Sequence, residues 1–166
     1  MDSALAKLFE HNNWTNLLML DVCARLTDAQ LDAKPRSVTK GTIRETLSHL
    51  VRSQQGYLRL LTGIEPPFTW EEESPPPIEK LRESLELSGQ QFLELARDEA
   101  NRIPRERRRT RDNWWVEPWV PVVQAINHAT EHREQISSML TDLGLTPPEI
   151  DVWAYAEFSK AMTPAG

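Results

Sequence analysis

The sequence predicts an all-α protein: a four-helix bundle with a long crossover connection and a short C-terminal helix. Apolar residues recur at helical spacing in four long segments, and no segment of useful length alternates with the period of a β-strand. A proline-rich connector, residues 65–77, is long for a loop, so we expect it to cross the bundle. At 166 residues, the chain is predicted to form a single domain over residues 1–166.

The first two long helices are predicted from periodicity and capping residues. The first covers about residues 4–26 and has one apolar stripe, formed by Leu5, Leu8, Trp14, Leu18, Val22 and Leu26. Thr27 follows as the N-cap of a short helical turn. Thr42 is predicted to begin the second long helix, because Glu45 completes a capping box with it, and Gly63 to end it as the C-cap.

The remaining helices are bounded by prolines and a glycine. The third spans about residues 77–102 and is stopped by Pro104. The fourth begins near Pro121, since proline is favoured in the first helical turn, and Gly144 caps its end. A last short helix is predicted over about residues 149–161.

Composition restricts the classes of function. Acidic residues outnumber basic ones by 25 to 19, which gives a net charge of −6 and argues against a general nucleic-acid binder. A single cysteine, Cys23, excludes an internal disulfide and fits a reducing cytoplasm. No segment approaches the roughly 18 apolar residues of a membrane span. We therefore expect a cytoplasmic protein that acts on a small molecule and binds neither nucleic acid nor membrane.

Three of the four histidines are spaced so that they could bind one metal ion. His128 and His132 lie four residues apart in the fourth helix, so both rings leave the same face. His49 lies on the second helix, and antiparallel packing could bring it opposite the pair. Three imidazoles plus an open position describe a catalytic site for a divalent metal. The simpler alternative is a set of partly buried histidines with ordinary hydrogen-bond partners.

Two other metal motifs fit the same residues poorly. The string HATEH matches the H-x-x-E-H pattern of inverted zinc proteases, but the chain is far too short for that large fold. A di-iron carboxylate bundle would need two Glu-x-x-His pairs, whereas Glu45 and His49 are four residues apart.

Several further residues have two possible roles. The candidates to orient ligand imidazoles through the second ring nitrogen are Gln135, Glu131 and Glu45, although Glu131 could equally be a solvated charge. A substrate pocket is expected beside the first helix near His11, Asn12 and Trp14. Cys23 is expected to be packed rather than reactive.

The chain between the third and fourth helices is the least regular part of the sequence. It carries Arg105, Arg107, Arg108, Arg109 and Arg111, followed by Trp114, Trp115 and Trp119. The arginines could bind an anionic substrate or a carboxylate-bearing thiol, although such a run is also typical of a solvated loop. The tryptophans could line the mouth of a pocket, but they are expected to plug the core or to form a partner interface.

Four segments, in this order and spacing, resemble the DinB/YfiT-like superfamily of metal-dependent enzymes over nearly the whole chain. They are HNNWTNLLMLDVCARLTDAQL, GTIRETLSHLVRSQQGYLRLLTG, NHATEHREQI and LTPPEIDVWAYAE. The resemblance implies a metal triad of His49, His128 and His132 that binds zinc or nickel, and a homodimer. It also implies a thiol S-transferase that uses a low-molecular-weight thiol. There are two alternatives. One is a metal-dependent hydrolase with the same ligands, and the other is a non-catalytic stress-response or interaction protein with a structural or vestigial metal.

Overall fold

Four long helices dominate the structure, as the sequence predicts. The computed structural model describes residues 2–36, 39–72 and 74–164. In chain order the elements are α1 (Ala4–Cys23), α2 (Asp28–Leu31), α3 (Ile43–Thr62), α4 (Ile78–Arg97), α5 (Glu99–Arg102), β1 (Arg108–Arg109), β2 (Trp115–Val116), α6 (Trp119–Asp142) and α7 (Val152–Phe158). The all-α class is confirmed. Within the described ranges, no helix has the length and apolar character needed to cross a bilayer.

The packing of the long helices explains the long connector. Helix α1 packs against α4 and α6, and α3 packs against the same two helices. One apolar cluster combines the C-terminal halves of α1 and α6 with the N-terminal halves of α3 and α4. Helix α3 is therefore antiparallel to α6 but parallel to α4. A parallel neighbour requires the chain to return along the whole helix, about 30 Å for 20 residues, and the connector after Gly63 does this.

The ends of α3 are set by the signals that the sequence contains. The Thr42 hydroxyl accepts a hydrogen bond from the Glu45 amide, and the Glu45 carboxylate accepts one from the Thr42 amide. Gly63 ends the helix with a φ of 74°, a left-handed conformation that favours glycine. The predicted cap of α2 by Thr27 is confirmed as well. The Thr42 cap fixes where α3 begins, and His49 lies two turns after it.

The predicted apolar stripe of α1 is wrong. Leu8 is 46% exposed, and the other five members are only partly buried. The buried face consists of Ala6, Phe9, Asn12, Thr15, Asn16, Met19, Leu20 and Cys23. Polar residues occupy the middle of this face because they have hydrogen-bond partners inside the bundle, which removes most of the cost of burying them. The expectation that Cys23 is packed is confirmed.

Other helix boundaries differ from the predicted ones by a few residues. The predicted third helix is divided at Asp98, whose ψ of 49° is not helical. Helix α6 begins at Trp119, two residues before Pro121, which the first turn tolerates because its amides have no partner within the helix. Helix α7 is shorter than predicted and is capped by Asp151, whose carboxylate accepts from the Ala154 amide at 2.8 Å.

A layer of polar side chains separates two apolar clusters in the bundle. The Arg133 guanidinium, 2% exposed, donates to Oδ1 of both Asn12 and Asn16 on α1. Asn16 donates to Gln54 on α3 at 3.2 Å, and Gln54 donates to the Ser88 hydroxyl on α4 at 2.8 Å. This polar layer therefore connects all four long helices between a cluster that contains Ile136 and Leu140 and one that contains Phe9 and Phe92.

The irregular arginine-rich stretch forms a short antiparallel β-hairpin. In its register, Arg108 pairs with Val116 and Arg109 with Trp115. The turn includes Asn113 at a φ of 65°, a left-handed conformation that asparagine tolerates. Exposed fractions of 71% for Trp114 and 63% for Trp115 exclude the predicted role as core plugs, and Trp119 is 62% exposed.

Candidate metal centre

Helices α3 and α6 bring three histidine rings together. The Nε2 atom of His128 lies 3.1 Å from Nε2 of His49 and 3.0 Å from Nε2 of His132. One ligand nitrogen from each ring lies within 4.8 Å of the other two, so the group could hold a metal ion. The spacing along α6 places two rings on one face, and antiparallel packing places His49 opposite them. The predicted proximity of these three residues is therefore observed.

Gln135 determines which nitrogen of His132 carries the proton. The Gln135 side-chain oxygen lies 2.8 Å from Nδ1 of His132 and accepts from the Lys40 backbone amide at 3.3 Å. An amide N–H can only donate, which identifies this Gln135 atom as the oxygen. Nδ1 of His132 must therefore donate to it, and Nε2 of the same ring directs a lone pair toward the other two histidines.

The three rings make more close nitrogen–nitrogen contacts than they can make hydrogen bonds. Nε2 of His128 takes part in both short contacts, and it can be either a donor or an acceptor, but not both. If it donates to His132, it has no lone pair for His49. If it accepts from His49, it meets the lone pair of His132 with no proton between them. Only one of the two contacts can be a hydrogen bond, whereas a cation would satisfy all three nitrogens.

The surroundings keep the imidazoles of His49 and His128 neutral. Burial lowers the pKa of both His49 and His128 to about 4, and the neighbouring His132 adds to the effect. Lys40 and Arg52 lower the pKa of His49 further, while Glu72 opposes them. Near pH 7 these two rings therefore present lone pairs rather than positive charges, and a neutral imidazole is the form that binds a metal.

The geometry and the donor chemistry fit a divalent ion. In a tetrahedral site with metal–nitrogen bonds of about 2.0–2.1 Å, neighbouring ligand nitrogens lie about 3.3–3.4 Å apart. The two short contacts, 3.1 Å and 3.0 Å, are within a few tenths of that spacing. Three nitrogen ligands leave one tetrahedral position for a water or a substrate.

Three of the expected neighbours of the site lie elsewhere. Nε2 of His11 donates to the Ile150 carbonyl oxygen at 2.9 Å, and its ring packs against Tyr155. The Glu45 carboxylate completes the cap of α3, and Glu131 is exposed. Of the three proposed orienting residues, only Gln135 has a hydrogen bond to a clustered histidine. Local sequence could not place His11, because its partner Ile150 is 139 residues away in the chain.

The pocket expected near the first helix is a separate feature. A cavity of about 640 Å³ lies between α1 and α7 and is lined by His11. None of the three clustered histidines lines it. Trp14 packs against Tyr155 and Phe158 of α7, and the buried Asn12 serves the Arg133 network. This part of the structure therefore closes the bundle on the α1 side rather than opening the metal centre.

Two neighbours of the cluster were missed. Tyr57 presents its ring to His128 with centroids 5.6 Å apart, and burial raises the pKa of its hydroxyl. Its position eight residues after His49, close to two helical turns, is a signal that could have identified it. Arg133 is the second, and its signal was the presence of Asn12 and Asn16 among apolar residues of α1.

The fold and the cluster define a helical bundle with a potential three-histidine metal centre. The sequence model described as the DinB family matches residues 1–163, so this chain belongs to the DinB family. No curated protein matches the sequence.

Proposed function

We propose that the protein is a metal-dependent enzyme whose divalent ion is bound by His49, His128 and His132. The observation that carries this proposal is the convergence of three imidazole nitrogens whose two short contacts cannot both be hydrogen bonds. Zinc and nickel are among the ions that imidazole ligands suit, and they are the ions implied by the resemblance to the family. When bound, such an ion would lower the pKa of a thiol or water that reaches it.

We propose thiol S-transfer, with a low-molecular-weight thiol as co-substrate, as the reaction. The resemblance to thiol transferases of the family supports this class. Cys23 supports an external thiol, because it is fully buried and burial raises its pKa to about 12. The residues near the cluster would have defined tasks: Gln135 orients His132, and Tyr57 forms one wall beside His128.

Elemental analysis tests the metal centre. We expect about one zinc or nickel ion per chain in protein purified without an affinity tag, and almost none in His128→Ala. The matched control is His11→Ala, which removes the one histidine outside the cluster and should retain the metal. Absence of metal from the wild type after reconstitution, or equal loss in both variants, would contradict the proposal.

Activity assays then separate the reaction classes. Metal-dependent turnover of a thiol with an electrophile supports the transferase, whereas turnover of an ester or amide in the absence of a thiol supports the hydrolase. If chelation unfolds the protein, the metal is structural, as in the non-catalytic alternative. The homodimer, the single domain and the cytoplasmic location expected from the sequence stay predictions.

A further inference from the structure

A positively charged cavity lies between α3 and the β-hairpin. Its volume is about 370 Å³, within the range of sites for small molecules. The arginines that line it are Arg52, Arg59, Arg109 and Arg111. Among the described residues of its wall, Glu65 alone is acidic. The cavity therefore combines helix-borne and hairpin-borne guanidinium groups that are distant in the sequence.

Two of the five arginines in the run line the cavity. They are Arg109, which ends β1, and Arg111, which lies in the turn of the hairpin. Of the others, Arg108 is half-buried, and Arg105 is exposed and does not line the cavity. Arg107 is held by Glu117, with 2.6 Å between Nε and Oε1.

The carboxylates near the cavity do not balance its charge. Arg59 forms an ion pair with Glu65 at 3.0 Å. Arg52 lies 3.6 Å from Glu72, which is also bound more closely by a lysine.

The two hairpin arginines are the uncompensated ones. Arg109 donates to the neutral side chain of Asn113 at 3.0 Å. In the described part of the chain, Arg111 has no carboxylate within 4.0 Å, the limit for an ion pair, although Asp112 is its neighbour in the sequence. Guanidinium groups bind carboxylates and phosphates through pairs of parallel N–H bonds, so these two are free to hold an oxyanion.

The cavity adjoins the histidine cluster. Arg52 lies one turn after His49 on α3, close enough for its charge to act on that imidazole. Tyr57 lines the cavity and also packs its ring against His128. The cavity and the histidine cluster therefore share Tyr57 as a neighbour, and a molecule in the cavity would lie on the far side of that residue from His128.

We propose that this cavity binds the oxyanion group, carboxylate or phosphate, of a small anionic substrate whose reacting end extends toward the three histidines. Arg109 and Arg111 bind the anion, and Arg52 closes the side nearest the cluster. Identification of this molecule as the substrate rests on the proposed function, because it requires a catalytic metal centre. Binding of the anion itself does not require the metal.

Gly56 allows the cavity to be filled without any change of charge. It lines the cavity, and a Cβ added there would meet nothing within 4 Å. Gly56→Leu would place its side chain in the space that the anion occupies. Gly56→Ala is the matched control, since it adds only one methyl group and suits a helix better than glycine does.

Isothermal titration calorimetry with inorganic phosphate and, separately, with succinate tests the proposal on metal-free full-length protein. We expect Arg109→Gln/Arg111→Gln and Gly56→Leu to weaken binding at least about tenfold, because each removes charge-assisted hydrogen bonds or the space for them. Gly56→Ala should bind as the wild type does. The charge-matched control, Arg25→Gln/Arg105→Gln, removes two exposed arginines that do not line the cavity and should have little effect.

The outcomes separate the anion site from the metal centre. Stronger binding of phosphate indicates a phosphorylated substrate, and stronger binding of succinate indicates a carboxylate. Binding that persists in His128→Ala supports a site in the cavity, even if no metal is found. The proposal is overturned if neither anion binds, if both arginine pairs weaken binding equally, or if only the histidine variant abolishes it.

Discussion

Two buried polar groups lie side by side on α6, and they differ in how their hydrogen bonds are matched. His132 faces α3 and the other two histidines, while Arg133 faces Asn12 and Asn16 on α1. Nη1 and Nη2 of Arg133 donate to amide and hydroxyl oxygens, while Nε of Arg133 and Nδ2 of Asn12 are buried without a partner among the residues that the structure describes. The three imidazoles, by contrast, can form only one hydrogen bond among themselves. Donors directed at acceptors, as around Arg133, describe a structural network. Convergent lone pairs without donors describe a site for a cation.

The largest effect should come from removing the Arg133 network. We expect Arg133→Met to lower the free energy of unfolding by about 3 kcal/mol, because it leaves the side-chain oxygens of Asn12 and Asn16 buried without donors. Urea denaturation of the metal-free protein measures this change. The metal content should stay at the wild-type value, since Arg133 does not contact the histidine nitrogens.

The matched control for this change is Arg25→Met, which makes the same substitution at an exposed arginine. It should alter stability by no more than about 0.5 kcal/mol. If Arg133→Met is equally mild, the network is not structural. If it also removes the metal, the two regions are not independent, and the distinction between them fails.

The second-largest effect should come from removing the hydrogen bond between Gln135 and His132. We expect Gln135→Leu to weaken metal binding by about 10- to 100-fold, because it removes the acceptor that orients His132. Competition with a chromogenic chelator measures this affinity. Gln135→Glu retains an acceptor oxygen and should recover most of it.

Glu131→Gln is the control for this prediction. Glu131 lies on the same helix and was a candidate to orient an imidazole, but the structure leaves it exposed. We expect its substitution to leave metal affinity unchanged. Equal weakening by both variants would contradict the prediction, because the hydrogen bond of Gln135 would then have no special effect on the affinity.

The features predicted correctly from the sequence are those that depend on short separations. The caps at Thr42 and Thr27 and the pairing of His128 with His132 each involve residues three or four positions apart. His49 could be added because helix order and antiparallel packing follow from the fold class. The orienting role of Gln135 also follows from helical spacing, although the choice among three candidates needed the structure.

The features that the sequence did not predict depend on distant partners. The buried face of α1 contains Asn12, which is paired with a residue 121 positions away. An apolar stripe was therefore the wrong guide for this helix, because polar side chains occupy its core positions. The hairpin was missed for a related reason: its strands have two residues each, too short to show alternation.

The smallest effect should come from the cap of the helix that carries His49. We expect Thr42→Ala to lower the free energy of unfolding by about 1 kcal/mol, because the Glu45 amide loses its acceptor at the start of α3. Thr42→Ser keeps the hydroxyl and should recover the loss. Thr141→Ala, which removes an exposed hydroxyl near the end of α6, is the control and should change stability by less than about 0.5 kcal/mol.

Thr42→Ala also tests whether the Arg133 network and the histidine cluster are independent of the N-terminal end of α3. Thr42 does not contact the Arg133 network, so the effects of Thr42→Ala and Arg133→Met on the free energy of unfolding should add within about 0.5 kcal/mol. Metal content should stay unchanged in the single variant, because the cap is two helical turns from His49. A metal loss in Thr42→Ala would show that fraying of α3 reaches His49, and that the position of the cluster depends on the end of the helix as well as on its packing against α6.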